Sequence, residues 1–163
     1  MDNGNTEAKP HPPDLTFRRA ERSDVPAIVA LLSDDVLGAS RELSGGTGLE
    51  AYLRGFDEIT ADPNQFLCVA TDDDEVVGTM QLTFIPGLSR AGAKRGQIEA
   101  VRVSSAHRAR GIGEAMFAWA IEQCRERGCS IVQLTTDRRR EGAQRFYERL
   151  GFEASHIGYK LTL

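Results

Sequence analysis

Gln97-Ile98-Glu99-Ala100-Val101-Arg102-Val103-Ser104-Ser105-Ala106-His107-Arg108-Ala109-Arg110-Gly111-Ile112-Gly113 runs on into Glu114-Ala115-Met116-Phe117-Ala118-Trp119-Ala120-Ile121. The first part reads as a strand, with Ile98, Val101 and Val103 at near-alternating positions. The last part reads as a helix, because Ile112, Met116, Trp119, Ala120 and Cys124 recur at spacings of three and four and fall on one stripe. Between them, Arg108–Gly113 is a basic turn whose two glycines let the chain bend tightly and let a ligand approach bare backbone. The first N–H groups of a helix lack carbonyl partners, and the aligned peptide dipoles make that end positive. Phosphate or pyrophosphate is therefore the natural occupant. At about 1.5–3 kcal/mol per hydrogen bond to a charged group, roughly three or four such amides hold a diphosphate without a dedicated lysine.

The motif is not a Walker A loop, since Gly-x-x-x-x-Gly-Lys-Ser/Thr occurs nowhere in the chain. It is not the dinucleotide fingerprint either, because Gly111-x-Gly113 lacks the third glycine. Position by position it resembles the Arg/Gln-x-x-Gly-x-Gly/Ala signature of the GNAT (Gcn5-related N-acetyltransferase) family. A second stretch, Ala143-Gln144-Arg145-Phe146-Tyr147-Glu148-Arg149-Leu150-Gly151-Phe152, matches that family's A-x-x-F/L-Y-x-x-x-G-F element in the right order and separation. The likeness covers residues 15–163. It implies an α+β fold: a mixed, mostly antiparallel central sheet of about six to seven strands with about four helices, its fourth and fifth strands parallel and splayed. It also implies that the pyrophosphate belongs to acetyl-coenzyme A.

Composition agrees with that class. The chain has 163 residues, 40% of them hydrophobic, which suits one domain with a single core. A net charge of −4 argues against a nucleic-acid binder. Cys68, Cys124 and Cys129 form no C-x-x-C pair, so they fit small buried thiols in a reducing compartment better than a disulfide framework or a zinc site. No metal is expected. No apolar run approaches the roughly 20 residues that span a bilayer, and the N-terminus lacks a signal core, which makes the cytoplasm the default and a membrane partner unexpected.

Outward from the centre, Met1 to about Asp14 is polar, holds Pro10, Pro12, Pro13 and a solvated His11, and reads as a disordered arm before a single domain over 15–163. Leu15–Ala20 alternates as a strand. Ser23 is the expected N-cap of a helix carrying Val25, Ile28, Val29 and Leu32, with Pro26 in its first turn. After the Ser44–Gly48 loop, Leu49, Tyr52, Leu53 and Phe56 mark a second helix, broken by Asp62-Pro63. Phe66–Ala70 is a strand buried on both faces, and acidic Thr71–Glu75 is a hairpin turn into the strand Val76–Ile85. Pro86–Gly96 is a glycine-rich loop with room to fold over a substrate. Past the central unit, Gly128 stops the long helix and Ile131–Thr135 is a strand, completing a parallel βαβ unit. Ala143, Phe146, Tyr147 and Leu150 share a face of a further helix. Phe152–Leu163 supplies one or two last strands, with Ile157, Tyr159, Leu161 and Leu163 alternating.

The resemblance assigns roles. Tyr147 would stand near the thioester sulfur and give its phenolic proton to the departing thiolate; its alternative is a buried core tyrosine bonded to backbone. Glu99 is the base candidate, with Gln97 at the position some relatives use, and a surface ion pair to arginine is the other reading of Glu99. Strand alternation sets Gln97 and Glu99 on one face, Ala100 and Arg102 on the other. The backbone of Val101 and Val103 would bond the pantetheine arm as an added strand, while Arg108, Ala109, Arg110, Gly111, Ile112, Gly113 and Glu114 hold the diphosphate. Arg140, in the run Arg138-Arg139-Arg140, would meet the 3′-phosphate or be a solvated surface; relatives often have an asparagine near it. Tyr52, Asp57 and Glu58 are possible acceptor contacts, and His156 is a helper at the acceptor or a turn histidine. The acceptor itself is an unidentified amine. Homodimers are common in the family, though nothing in these residues shows one. A non-catalytic acyl-coenzyme A sensor or partner-binding module is the rival reading, and an ATP- or NAD-binding domain a weaker one.

Overall fold

The computed structural model of the protein describes residues 14–34 and 48–163. The arm, apart from Asp14, and Ser44–Thr47 of the predicted loop lie outside them. Strands β1 (Leu15–Arg19), β2 (Gln65–Asp72), β3 (Glu75–Ile85), β4 (Lys94–Val103) and β5 (Cys129–Leu134) stand side by side in that order. Neighbours are antiparallel except β4 and β5, which are parallel. The helices are α1 (Val25–Ser33), α2 (Leu49–Ala61), a single turn α3 (Ser89–Gly92), α4 (Ile112–Glu126) and α5 (Glu141–Arg149).

Among the described residues the sheet has five strands, not six or seven. Phe152–Leu163, expected to supply the rest, forms no strand. Its alternation is there, but a strand exists only where a neighbour accepts its ladder, and this segment has none. Two further expectations shift. β4 begins at Lys94, because Arg95 and Gly96 oppose Ile85 and Phe84, so the connection shrinks to Pro86–Ala93. The cap before α1 is not Ser23, which sits inside a 3-10 turn. Asp24 stands at the N-cap position with no side-chain bond into α1; its carboxylate instead closes the 3-10 turn by accepting from the Glu21 N–H at 2.7 Å, while Arg18 forks it at 2.6 and 2.9 Å and holds its pKa below the usual value.

Helices cover both faces of the sheet. On one, Ile112, Met116, Phe117, Ala120 and Cys124 of α4 and Phe146, Tyr147 and Leu150 of α5 pack on Cys68, Met80, Leu82, Phe84 and Ile98. On the other, Val25 and Ile28 of α1 and Phe56 of α2 pack on Val69 and Leu67. α4 lies so close to β4 that a Cβ built on Gly96 would fall 2.3 Å from Cys124 Sγ. The acidic turn behaves as read: Asp73 and Asp74, with φ of 47° and 66°, close the β2–β3 hairpin with both central residues left-handed.

One residue breaks the regular weave. Gln81 opposes Glu99 and Thr79 opposes Arg102, so Met80 faces both Ala100 and Val101, and Ala100 takes φ 52°. This is a β-bulge. It overturns the simple alternation, because directly opposed residues share a face. Arg102, opposite Thr79, is returned to the side of Glu99, opposite Gln81. Just before the bulge, the β4–β5 ladder ends at the pair Ile98–Leu134. β4 runs on beside β3 to Val103, and the two parallel strands part.

Candidate active site

The parting of β4 and β5 exposes the β5-facing edge of β4 over Val101–Val103, while the valine side chains turn into the core beneath α4. Directly after it comes the turn into α4. Ala109 and Gly111 both have positive φ, 62° and 77°, and Gly111 is the N-cap. Left-handed residues spaced in this way turn successive amides toward one side as an anion-binding concavity. Among the described residues, no protein group accepts a hydrogen bond from the N–H groups of Ala109–Glu114. Gly113 has a second reason to be glycine: a Cβ there would lie 3.4 Å from Phe146 Cζ, so α5 closes over the first turn of α4. The Glu114 carboxylate hangs near the corner, its Oε2 3.7 Å from a Cβ built on Gly111.

The arginine side chains of this turn face elsewhere. Arg110 pairs with Asp72 at 3.1 Å. Arg108 donates to the Asp34 carbonyl at 3.1 Å, and Asp34 Oδ2 accepts from the Ser105 N–H at 2.6 Å. Both arginines therefore pin the turn to the ends of β2 and α1 and leave the concavity to main-chain donors. Asp34 and Asp72 had no signal in the sequence, since a carboxylate recruited across the fold has no characteristic spacing.

Tyr147 sits beside this corner in an aromatic group, its ring 5.5 Å from Phe117, 5.6 Å from Phe146 and 6.3 Å from Phe152. Burial raises its pKa, and the nearby charges of Arg140 and Arg102 pull the other way. The phenol is protonated at neutral pH and available as a donor. Arg140 thus reaches Tyr147 electrostatically, whereas Arg139 is folded back on Asp137 at 2.7 Å and the Arg138 carbonyl accepts from Gln144. His156 is exposed, its Nδ1 2.8 Å from Ser155 Oγ.

Across the sheet, a cavity of about 220 Å³ lies between α1 and α2 and the strands, lined by Val25, Ile28, Tyr52, Phe56, Gln81 and Ala100 among others. Tyr52 is the one of the three suggested acceptor contacts that reaches it; Asp57 is exposed and paired with Arg22, and Glu58 is exposed. Glu99 is exposed and does not itself line the cavity; it opposes Gln81, which does, and so shares that face of the sheet. Gln97 is already engaged, its Oε1 accepting from Gln133 Nε2 at 2.7 Å across the β4–β5 pair. The bulge residue Ala100 is the piece that sequence reading missed, and it is the point at which the cavity meets the parted strands.

The thiols are not arranged for attack. Burial pushes Cys68 up to about 12 and Cys124 up to about 11, and raises Cys129 as well. Among the described residues no group of three or more His, Cys, Asp or Glu could hold a metal ion, and no helix is long and apolar enough to cross a membrane.

Comparison with known proteins places this geometry. Residues 35–152 match the Acetyltransferase (GNAT) family. The chain is 30% identical over 151 residues to the aminoalkylphosphonate N-acetyltransferase of Salmonella typhimurium, covering 93% of each. The fold superposes with a TM-score of 0.86 and 47% identity on a protein described as a transcriptional regulator from Bacillus halodurans, over 91% of this chain and 99% of that one. A Clostridium acetobutylicum protein, described as a predicted acetyltransferase with acetyl-CoA, gives a TM-score of 0.68 at 17% identity over 91% and 96%, a likeness of fold alone.

Proposed function

Because the chain belongs to the GNAT family of acetyltransferases, we propose that it moves an acetyl group from acetyl-coenzyme A to a primary amine by direct attack, with residues 15–163 acting as one unit. The observation that carries this reading is the fork between β4 and β5 beyond Ile98–Leu134, continuous with main-chain amides at Ala109–Glu114 that donate to no group among the described residues. An extended pantetheine arm would add to the open edge at Val101 and Val103 as a further strand. Its diphosphate would take the amides of Ala109, Arg110, Gly111, Ile112, Gly113 and Glu114, with the Glu114 carboxylate turning away.

The amine approaches from the α1–α2 cavity, on the far side of the bulge. A lysine-like amine with pKa near 10.4 is neutral in only about one molecule in 2,500 at pH 7, which costs roughly 4.6 kcal/mol. Glu99, opposite the cavity-lining Gln81, takes that proton, directly or through water. The amine nitrogen then attacks the thioester carbonyl carbon: the C–N bond forms, the C–S bond breaks, the nitrogen gives its second proton to water, and the departing thiolate gains one through Tyr147, which water reprotonates. A phenol near pKa 10 is a weaker acid than a thiol near 8.5 by about 2 kcal/mol. The first service of Tyr147 is therefore a hydrogen bond to the sulfur as charge develops there. Arg140 and Arg102 offset part of the rise that burial imposes on the phenol, whose pKa stays above the ordinary value, so full proton transfer follows only as the thiolate charge develops. The raised cysteine pKa values support direct attack over an acyl-cysteine route.

A thiol-release assay with acetyl-coenzyme A and a panel of amines tests the proposal. The panel takes in an aminoalkylphosphonate, a polyamine, an aminoglycoside, an amino acid and a peptide amine. Free thiol with at least one amine is the expected result, and binding without release from any would make this chain a sensor. Gly111→Asp, which sets bulk and negative charge at the corner, is expected to abolish coenzyme A binding by calorimetry. Unchanged affinity would refute the cradle.

A further inference from the structure

The cavity between α1 and α2 has a chemistry of its own. Of the described residues that line its roughly 220 Å³, none carries a charge. Ile28, Val29 and Leu32 of α1 and Ala51, Phe56 and Ile59 of α2 give it apolar walls. Three lining residues have polar side chains, and two of these are engaged within the protein. Thr79 donates its hydroxyl to the Cys68 carbonyl at 2.9 Å, and Gln81 gives its amide nitrogen to Gln65 Oε1 at 3.0 Å. The third, Tyr52, joins one hydroxyl to an aromatic ring. The volume falls below that of pockets for drug-sized ligands, so the occupant is small.

Gly55 adds a second observation. It lines the cavity from the middle of α2, at the seventh of thirteen residues. Glycine is the poorest helix former short of proline, so a glycine inside a helix calls for a reason, and crowding by a neighbour is the usual one. Gly113 of α4 has that reason in Phe146; Gly55 does not, because a Cβ built on it meets nothing within 4 Å. The missing side chain leaves room at the cavity that no protein atom uses. Apart from Tyr52, the polar groups lie on the sheet, where Gln81 opposes Glu99 and Ala100 marks the bulge. With its nitrogen committed to Gln65, Gln81 offers its carbonyl oxygen as an acceptor for an amine N–H.

We propose that the acceptor is a small primary amine with an uncharged apolar body, an alkyl or arylalkyl amine, whose nitrogen lies by Gln81 and Ala100 and whose body runs between α1 and α2 past Gly55. The inference rests on the acetyltransferase reading above and adds the class of acceptor to it. A polyamine would bring a second ammonium, and an aminoglycoside a set of hydroxyls, against walls with no carboxylate among the described lining residues. Polar groups buried without partners oppose binding. A phosphonate or carboxylate would find no cation among the same residues. Methylenes are what these walls favour, at about fourfold in affinity for each one buried, the equivalent of about 0.8 kcal/mol.

Thiol release with acetyl-coenzyme A and n-alkylamines from ethylamine to octylamine tests the assignment, with phenylethylamine, aminoethylphosphonate and a diamine of matched length beside them. kcat/KM is expected to rise about fourfold per methylene and to level off once the cavity is full. Gly55→Leu puts a side chain into the open space and suits a helix. It should lower the preference for the best amine over ethylamine about tenfold, with coenzyme A affinity by calorimetry unmoved and no loss of melting temperature. A rate indifferent to chain length overturns the inference, as does a preference for the phosphonate or the diamine, or an unchanged preference in Gly55→Leu. Should that variant misfold, the chain-length series on the wild type decides by itself. Release with charged amines alone removes this inference and leaves acetyl transfer standing, whereas release with no amine at all removes both.

Discussion

Tyr147 owes its position to its ring and its proposed role to its hydroxyl, so the two separate experimentally. Tyr147→Phe keeps the contacts with Phe117, Phe146 and Phe152 and removes only the donor. Turnover is expected to fall about a hundredfold, the lower end for a positioned acid, with coenzyme A affinity and melting temperature unmoved. An undiminished kcat, read by thiol release at saturating donor, would take Tyr147 out of the mechanism. At this scale the sequence was readable where a side chain's chemistry is rare in its context. A tyrosine in a family motif, a glutamate on a core strand and glycines at a helix start all announce themselves. Asp34 and Asp72 do not, because their partners Arg108 and Arg110 lie far along the chain.

Between β4 and α4 the contact is set by Gly96. Its missing Cβ would sit 2.3 Å from Cys124 Sγ and 3.3 Å from Cys124 Cβ, a clash that rigid elements relieve only by moving apart. Gly96→Ala is expected to destabilise by about 1–3 kcal/mol in urea titrations. Adding Cys124→Ala removes the sulfur, so the double variant should be more stable than Gly96→Ala alone. Strict additivity of the two single changes in the mutant cycle would mean that backbone, rather than sulfur, limits the approach. Elements built from local signals were legible in advance: the strand, turn and helix of the central unit, the Asp73-Asp74 hairpin, and α2 up to Asp62-Pro63. The bulge was not, because alanine gives no turn signal and rarely adopts positive φ. Nor was the missing edge partner, since alternation in Ile157–Leu163 states that a strand is possible and leaves its neighbour to tertiary structure.

Taken whole, the molecule keeps its two proposed substrates on opposite sides of one sheet, the donor under α4 and α5 and the acceptor under α1 and α2, joined only where β4 bulges. Binding on the donor side should therefore report on the entire fold. Acetyl-coenzyme A at about a hundred times its dissociation constant adds about 2.7 kcal/mol of stability. At roughly 2–4 °C per kcal/mol for a chain of this size, the melting temperature should rise by about 5–11 °C. ATP and NAD at equal concentration should leave it in place; a comparable rise with either would assign the amide corner to a different nucleotide. The bulge also bears on how such a chain can diverge. Gaining one codon beside Ala100 would put the strand out of step from that point, so Val101 and Val103 would trade interior for exterior and Arg102 the reverse, all in a single step. The Pro86–Ala93 connection carries no such constraint. Insertions and deletions among descendants of this sequence should accumulate in that connection and be purged from the fourth strand, where substitutions alone can tune the site.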